Sequence, residues 1–216
     1  MSRAAPRALV FDLDGTLIDS LTLVLSAITH ALEPYGARPP AEIFAKLGGP
    51  PERFLPTLLP DIRHVPAALA RMEAFHREHW RHIQPFAGIR PLLVEFRAAG
   101  AQLAVWTGRD RDSGSWLLRE LQLEELFATI VYGDDLPTHK PSPDGLREIM
   151  RRLGVGPAET LFVGDADVDV LGGVGCGVDT LLIRQGRAID AAVIAQAWRV
   201  VETPREACEL LLPLMR

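Results

Sequence analysis

Residues 8–17 read ALVFDLDGTL, a short apolar run that ends in two aspartates and a glycine. The apolar residues Ala8 to Phe11 show no helical periodicity and predict a short buried strand. Asp12 and Asp14 follow at once, and Gly15 is typical of the turn that would end the strand. Ligands of parallel α/β sheets bind beyond the carboxyl ends of the strands. We therefore expect an active or binding site directly after this strand.

Beyond Pro85, stretches typical of strands alternate with stretches typical of helices. The predicted strands cover residues 103–106, 128–132, 160–163, 180–183 and 199–201, with a predicted helix between each pair. Such alternation requires crossover connections and produces a parallel sheet with helices on both faces. The predicted fold class is α/β, with a Rossmann-like three-layer α/β/α core around a parallel sheet.

Residues 17–84 show helical spacing instead and predict an all-helical insert. Apolar residues recur at helical intervals over 21–32 and 65–83, and a short helix is predicted over 40–47. The chain is thus expected to form a discontinuous α/β core, 1–16 with 85–216, and a helical insert at 17–84. His76, His79 and His82 share one predicted helix, and no cysteine or carboxylate pattern completes a metal site there. We expect these histidines to form a solvent-exposed face.

The composition and net charge limit the kinds of molecule that the protein is expected to bind. The 216 residues carry a formal charge of −5 and are 48% hydrophobic, which favours a globular chain without a basic surface for nucleic acid. No stretch has the roughly 20 apolar residues of a membrane span, and two cysteines are too few for a disulfide scaffold. We expect a cytoplasmic protein, a monomer or loose homodimer, without nucleic-acid or membrane partners.

Four segments at predicted strand ends follow one another in a fixed order. They are VFDLDGTL at 10–17, WTGR at 106–109, KPSP at 140–143, and VGD at 163–165 together with Asp169. In order and spacing these segments resemble the four motifs of the haloacid dehalogenase superfamily of phosphohydrolases. The insert after the first motif resembles the helical cap of the subfamily that contains phosphoglycolate phosphatases and β-phosphoglucomutases. The resemblance implies a phosphatase that hydrolyses a small phosphorylated metabolite under a helical cap.

The residues at these positions suit phosphoryl transfer. Asp12 is the expected nucleophile, which forms an aspartyl phosphate and so divides the displacement into two easier steps. Asp14, two residues on in the turn, can act as acid for the leaving alcohol and then as base for water. Thr107 and nearby backbone amides can hold phosphate oxygens. Lys140 supplies a compact ammonium, and it is one of only two lysines among 23 basic residues.

Four aspartates at one sheet edge would repel one another without a cation. Mg²⁺ is the expected cofactor because it takes oxygen ligands in octahedral geometry. In the family, the ion is bound by the first aspartate, the backbone carbonyl of the second and an acid of the last motif, which the resemblance places at Asp12, Asp14 and Asp165. Asp169 is expected to bind the metal directly, to bind it through water, or to orient Lys140.

Substrate selectivity is expected where the cap meets the site. Gly48, Gly49 and Arg53 of the insert are the predicted cap contacts. Gly108 and Arg109, which follow Thr107, are the predicted contacts from the core, together with Lys140.

Other functions on the same core remain open at this point. A β-phosphoglucomutase-like enzyme needs a cap arginine for a second phosphate, and Arg53 lies off the expected register. A carbon–halogen hydrolase lacks the second acid of the first motif, which is present here as Asp14. A phosphonate hydrolase needs a cap lysine, for which Lys46 is the only candidate. A receiver-like or catalytically inactive binding domain would have no use for a cap that excludes water.

Overall fold

The computed structural model describes residues 5–41, 43 and 49–215, and its core is a six-stranded parallel sheet. In chain order the strands are β1 (Ala8–Phe11), β2 (Ile18–Asp19), β3 (Gln84–Pro85), β4 (Gln102–Trp106), β5 (Thr129–Val131), β6 (Thr160–Gly164), β7 (Asp179–Ile183) and β8 (Arg199–Val201). The sheet has the order β5-β4-β1-β6-β7-β8, and every neighbouring pair in it is parallel. The predicted parallel sheet is confirmed, with β1 between β4 and β6.

Helices cover both faces of this sheet. In chain order the helices of the described residues are α1 (Leu21–Leu32), α2 (Pro51–Leu58), α3 (Val65–His79), α4 (Ile89–Ala98), α5 (Arg111–Glu120), α6 (Asp144–Leu153), α7 (Asp167–Val174), α8 (Ala191–Ile194) and α9 (Pro204–Leu211). Successive side chains of a strand point to opposite faces. Leu9 and Phe11 of β1 accordingly pack in the apolar cluster that contains residues of α4, α5 and α9, whereas Val10 packs in the cluster that contains residues of α6. This arrangement confirms the three-layer α/β/α core.

Helices α1, α2 and α3 form a separate layer, called the helical layer below. Its buried residues, which include Ile28, Leu32, Leu55 and Met72, make an apolar cluster of their own. Phe75 is half-buried and touches both this cluster and the one under the sheet. The helical layer therefore has its own core and also packs against the α/β core.

The chain enters and leaves the helical layer through a short antiparallel ribbon. Ile18 of β2 pairs with Pro85 of β3, and Asp19 pairs with Gln84. The expectation that residues 17–84 are entirely helical was wrong at these two points. A pair of two-residue strands is too short to show an alternating pattern in the sequence.

Two further helix predictions differ from the structure. α2 begins at Pro51, where no helix is predicted; proline is well tolerated at the first helical position because the N–H it lacks would be unpaired there. The helix predicted over 65–83 ends as α3 at His79 and continues as a 3₁₀ turn, Trp80–His82. The predicted helix over 40–47 lies mostly outside the described residues.

Helix α7 packs closely against its neighbours because of two glycines. A Cβ atom at Gly172 would lie 2.7 Å from the Trp106 ring, and one at Gly173 would lie 2.1 Å from the Thr180 hydroxyl oxygen. Larger side chains at these positions would force the helix outward. The close approach keeps the first turn of α7, which carries Asp169, at the carboxyl edge of the sheet. Among the described helices, none combines the length and the apolar character that a membrane span requires.

Candidate active site

Three neighbouring strands bring polar residues to one edge of the sheet. Asp12 follows β1, Thr107 follows β4 and Asp165 follows β6, and all three are buried. The Asp12 amide donates to the Val163 carbonyl at 2.8 Å, and the Thr107 amide donates to the Val131 carbonyl at 3.1 Å. Asp12 and Thr107 thus continue the hydrogen bonding of their strands. Since the strands are parallel and adjacent, their ends meet.

Lys140 links the loop after β5 to this edge. Its Nζ lies 2.5 Å from Asp12 Oδ1 and 2.7 Å from Asp169 Oδ1, and the residue is only 4% exposed. The ammonium also lies 5.0 Å from the centroid of the Trp106 ring and 5.3 Å from that of Phe162. Burial alone would lower the pKa of Lys140, but the two carboxylates raise it. The side chain is therefore a charged ammonium that orients both carboxylates.

Asp12, Asp165 and Asp169 form a compact cluster of carboxylates. Each offers an oxygen, and these oxygens lie within 4.8 Å of one another. Asp169 is anchored because its Oδ2 accepts hydrogen bonds from the amides of Asp165 and Ala166, each at 3.0 Å. Gly15 has a φ of +78°, and a Cβ there would lie 2.2 Å from Asp165 Oδ2. Only glycine allows the turn after Asp14 to close this tightly on the cluster.

The cluster has the charge and the donor atoms to hold a divalent cation. Burial is the main cause that raises the pKa of Asp12 well above its usual range, against the opposing effect of Lys140. Burial also raises the pKa of Asp165 to about 7, although the guanidinium of Arg187 pairs with this carboxylate. Lys140 and Arg187 together balance two of the three carboxylates. A divalent cation would favour the ionised form of these buried carboxylates, whose hard oxygen atoms are the ligands that Mg²⁺ prefers.

The side chain of Asp14 lies outside this cluster and pairs with Arg109. Arg109 Nε is 2.7 Å from Asp14 Oδ2, and Arg109 Nη2 is 2.7 Å from Asp14 Oδ1. The Ser20 hydroxyl donates to Asp14 Oδ1 at 2.5 Å. Burial raises the pKa of Asp14, but the ion pair and the hydrogen bonds outweigh it, so the net pKa is lowered.

A cavity of about 750 Å³ lies between the helical layer and the carboxyl edge of the sheet. The core contributes charged side chains to its wall, among them Asp12, Asp14, Arg109, Lys140, Asp165, Asp169 and Arg187. The helical layer contributes mostly apolar side chains, among them Val24, Phe54, Leu69 and Met72. Trp80 meets Trp116 of the core edge-on at 5.2 Å, and both line the cavity. The reactive end of the cavity is polar, and its opposite wall is apolar.

The predicted substrate contacts differ in where they lie relative to the cavity. Gly49, Gly108 and Arg109 line the cavity. Thr107 is buried beside it, where its Oγ1 accepts a hydrogen bond from the Arg109 amide at 3.1 Å. Arg53 is exposed and is not among the residues that line the cavity. Gly48 and Lys46 lie outside the described residues.

Three residues of the site were not predicted from the sequence to belong to it. Ser20 occupies the N-cap position of α1, but its hydroxyl donates to Asp14 and makes no bond to a helix amide. Arg187 lies four residues beyond the end of β7, so only the strand-end rule could have indicated it. Neither residue belongs to a recognisable short motif.

His76 is the third such residue, and the expectation that it lies on a solvent-exposed face was wrong. It lines the cavity, and its Nε2 is buried and has no hydrogen-bond partner in the described part of the chain. Burial, with a smaller effect of Arg109, lowers the pKa of His76 to about 4. His79 instead stacks on Phe75, with ring centroids 4.2 Å apart.

A family profile and individual relatives point to the same protein family. The profile of the haloacid dehalogenase-like hydrolases matches residues 9–183. Pyrophosphatase PpaX of Halalkalibacterium halodurans is 32% identical over 176 residues, which cover 81% of both chains. Phosphoglycolate phosphatase 1 of Pseudomonas aeruginosa is 33% identical over an alignment of 228 positions, gaps included, which covers 96% of this chain and 83% of that one.

A solved structure shows the same fold. The crystal structure of a candidate phosphoglycolate phosphatase from Lactobacillus plantarum superimposes with a TM-score of 0.80 at 24% identity and covers 95% of this chain and 99% of that one. The motifs at the strand ends, the matched profile and the two relatives agree. The chain therefore belongs to the haloacid dehalogenase-like hydrolase family.

Proposed function

We propose that the protein is a Mg²⁺-dependent phosphatase that hydrolyses a small phosphorylated metabolite through an aspartyl phosphate on Asp12. The observation that carries this proposal is the position of Asp12, which lines the cavity, touches Lys140 and belongs to the three-carboxylate cluster. A second acid, Asp14, lines the same cavity. The names of the two relatives, a pyrophosphatase and a phosphoglycolate phosphatase, support chemistry on a phosphoryl group.

The proposed reaction has two displacements at phosphorus. A carboxylate oxygen of Asp12 attacks the phosphorus, and the bond between phosphorus and the ester oxygen breaks. Asp14, which has first taken up a proton from water, gives this proton to the leaving oxygen. A water molecule then attacks the phosphorus and passes a proton to Asp14. The bond between phosphorus and Asp12 breaks, inorganic phosphate leaves, and both aspartates return to their starting states.

The surrounding residues hold the reacting groups in place. Lys140 fixes the direction of the Asp12 carboxylate, and Thr107 with the neighbouring amides is proposed to hold phosphate oxygens. Asp12, Asp165 and Asp169 are the side chains that would hold Mg²⁺, together with the Asp14 backbone carbonyl that the family resemblance implies. When bound, the ion supplies positive charge to the phosphate oxygens.

We further propose that residues 17–84 act as a cap on the core formed by 1–16 and 85–216. The ribbon of β2 and β3 joins the two parts, and the Trp80–Trp116 contact bridges them across the cavity. Closure of such a cap keeps water away while the phosphoryl group is transferred. A β-phosphoglucomutase-like function is less well supported, because Arg53, the arginine considered for a second phosphate, lies outside the cavity lining.

The first test is the dependence of phosphate release on Mg²⁺. We expect hydrolysis of p-nitrophenyl phosphate with Mg²⁺, none with excess chelator, and little with Ca²⁺, whose larger and looser coordination shell misplaces the phosphate. Asp165→Asn should raise the Mg²⁺ concentration needed for half-maximal rate. Asp167→Asn is the matched control, because Asp167 lies in the first turn of α7 but does not line the cavity.

The melting temperature provides a second, independent measurement of Mg²⁺ binding. Binding to the folded state alone stabilises a protein by about 2.7 kcal/mol when the ligand is at about 100 times its Kd. We expect Mg²⁺ to raise the melting temperature of the native chain and of Asp167→Asn, and to raise that of Asp165→Asn much less. Full activity with excess chelator would refute the proposed metal dependence.

The second test addresses Asp14. We expect Asp14→Asn to lower kcat for an alkyl phosphate on the order of 10²- to 10⁴-fold, which is typical for the loss of an acid–base group. With p-nitrophenyl phosphate, whose leaving group needs little protonation, the attack of water becomes the slow step. Acid quenching should then trap more phosphoenzyme in the variant than in the native protein. A loss of less than about tenfold on the alkyl phosphate would contradict the acid–base role.

A further inference from the structure

Asp14 cannot act as acid or base in the position that the structure shows. Arg109 contacts both of its carboxylate oxygens at 2.7 Å, and Ser20 contacts one of them at 2.5 Å. The side chains of Arg109 and Asp14 are only 10% and 22% exposed. Opening a buried ion pair is strongly unfavourable when one partner is left without a replacement. The reaction should therefore be fastest with a substrate that supplies a replacement partner for Arg109.

The main chain around Arg109 is fixed, so only its side chain can change partners. The Arg109 amide donates to Thr107 Oγ1 at 3.1 Å, and the Arg109 carbonyl accepts from the Gly133 amide at 2.7 Å. The next residue, Asp110, caps α5 by accepting from the Ser113 amide at 2.8 Å. These bonds hold the backbone of the loop, so a change of partner would be a movement of the Arg109 guanidinium.

Among the residues that the structure describes, Arg109 is also the cation best placed for a second anionic group in the cavity. Lys140 is engaged with Asp12 and Asp169, and Arg187 is engaged with Asp165. The remaining arginine of the cavity wall, Arg77, is 75% exposed and pairs with Glu73. Close to Arg109, the buried Nε2 of His76 has no partner among the described residues and can contribute a further hydrogen bond.

Resting on the phosphatase function proposed above, we propose that Arg109 exchanges Asp14 for a second anionic group on the leaving part of the substrate. A guanidinium binds two adjacent oxygens of a carboxylate or a phosphoryl group in the same forked geometry that it now makes with Asp14. The exchange keeps Arg109 paired and frees Asp14 for proton transfer. Arg109 is thus a positioning residue that couples recognition of the second anion to the release of Asp14.

The test compares 2-phosphoglycolate with its amide, in which a neutral group of similar size replaces the carboxylate, and with inorganic pyrophosphate. The variants are Arg109→Gln, Arg109→Lys and the control Arg111→Gln. Arg111 is the matched control because it lies two residues away, is 55% exposed at its side chain, pairs with Asp135 and does not line the cavity. All rates are measured with Mg²⁺ as kcat and KM separately.

We expect the native protein to prefer 2-phosphoglycolate over its amide, and Arg109→Gln to remove this preference. The loss on the charged ester should be on the order of 10- to 100-fold in kcat/KM, as for a lost hydrogen-bonded ion pair. The rate on the neutral amide should rise several-fold, because Asp14 is no longer held. A parallel loss on pyrophosphate would extend the site to a second phosphoryl group, and a loss on 2-phosphoglycolate alone would restrict it to carboxylates. Arg109→Lys, which keeps the charge but not the fork, should lie between.

A purely structural role of Arg109 predicts a different result. Equal losses on the charged and neutral esters, or an unchanged or lowered rate on the amide, would overturn the proposal. If the native protein releases no phosphate even from p-nitrophenyl phosphate, the proposed phosphatase function itself fails, which is a separate outcome.

Binding to an inactive protein gives an answer that does not depend on turnover. In the Asp12→Asn background, calorimetry should show that Arg109→Gln weakens binding of 2-phosphoglycolate on the order of 10- to 100-fold and leaves binding of the amide nearly unchanged. Equal weakening of both ligands would overturn the exchange. Melting curves of each variant show whether the folded state is retained.

Discussion

The Asp12→Asn variant will fold like the native chain and lose almost all turnover. The amide has nearly the same shape, and its oxygen can still accept the hydrogen bond that Lys140 makes to Asp12 Oδ1 at 2.5 Å. It cannot form the covalent bond to phosphorus, so we expect kcat to fall on the order of 10⁴-fold or more. Phosphate release from p-nitrophenyl phosphate and a melting curve measure the two parts of this expectation.

The Asp167→Asn variant controls for the loss of one carboxylate at this edge. Asp167 is an acid of the same α7 turn as Asp169, but it does not line the cavity. It should keep most of the native rate. If Asp12→Asn retained more than a few per cent of native activity, Asp12 could not be the nucleophile, and the assignment of the reaction would fail.

We also expect a large effect when Lys140 is replaced by methionine, because this substitution lowers both the rate of hydrolysis and the free energy of unfolding. Methionine fills a similar volume between Trp106 and Phe162 but leaves Asp12 and Asp169 without their cation. Breaking a buried ion pair from one side costs about 3–5 kcal/mol of unfolding free energy. For a chain of this length, that loss lowers the melting temperature by about 6–20 °C.

A second substitution tests whether unpaired charge causes this loss. In Lys140→Met/Asp169→Asn one of the two uncompensated carboxylates is gone, so the double variant should melt at a higher temperature than Lys140→Met alone. Arg205→Met, which breaks the exposed pair with Glu209, should leave the melting temperature almost unchanged. A double variant that melts no higher than the single one would show that packing, and not charge, makes Lys140 important.

The fold class and the positions of the candidate site residues along the chain could be predicted from the amino-acid sequence alone. The strand at Ala8–Phe11 and the later strands are short apolar runs, and Asp12, Thr107 and Asp165 follow such runs directly. Both features are local, because strand and turn propensities depend on neighbouring residues. The parallel topology then follows from alternation of strands and helices, and it brings the strand ends to one edge. The convergence of Asp12, Asp165 and Asp169 could therefore be predicted, and the structure has it. The side chain of Asp14, which was predicted to lie with them, pairs with Arg109 instead.

The partners of these side chains, in contrast, depend on contacts that form only in the folded protein. Asp14 and Arg109 are 95 positions apart, and whether they pair depends on the order of β4 and β1 in the sheet and on the path of each loop. The inward position of His76 depends on how α3 packs over the core, since the apolar periodicity of a helix shows which face is buried but not which neighbour buries it. Ion pairs and cavity walls arise from contacts distant in the chain, whereas sequence patterns report the local conformation that precedes them.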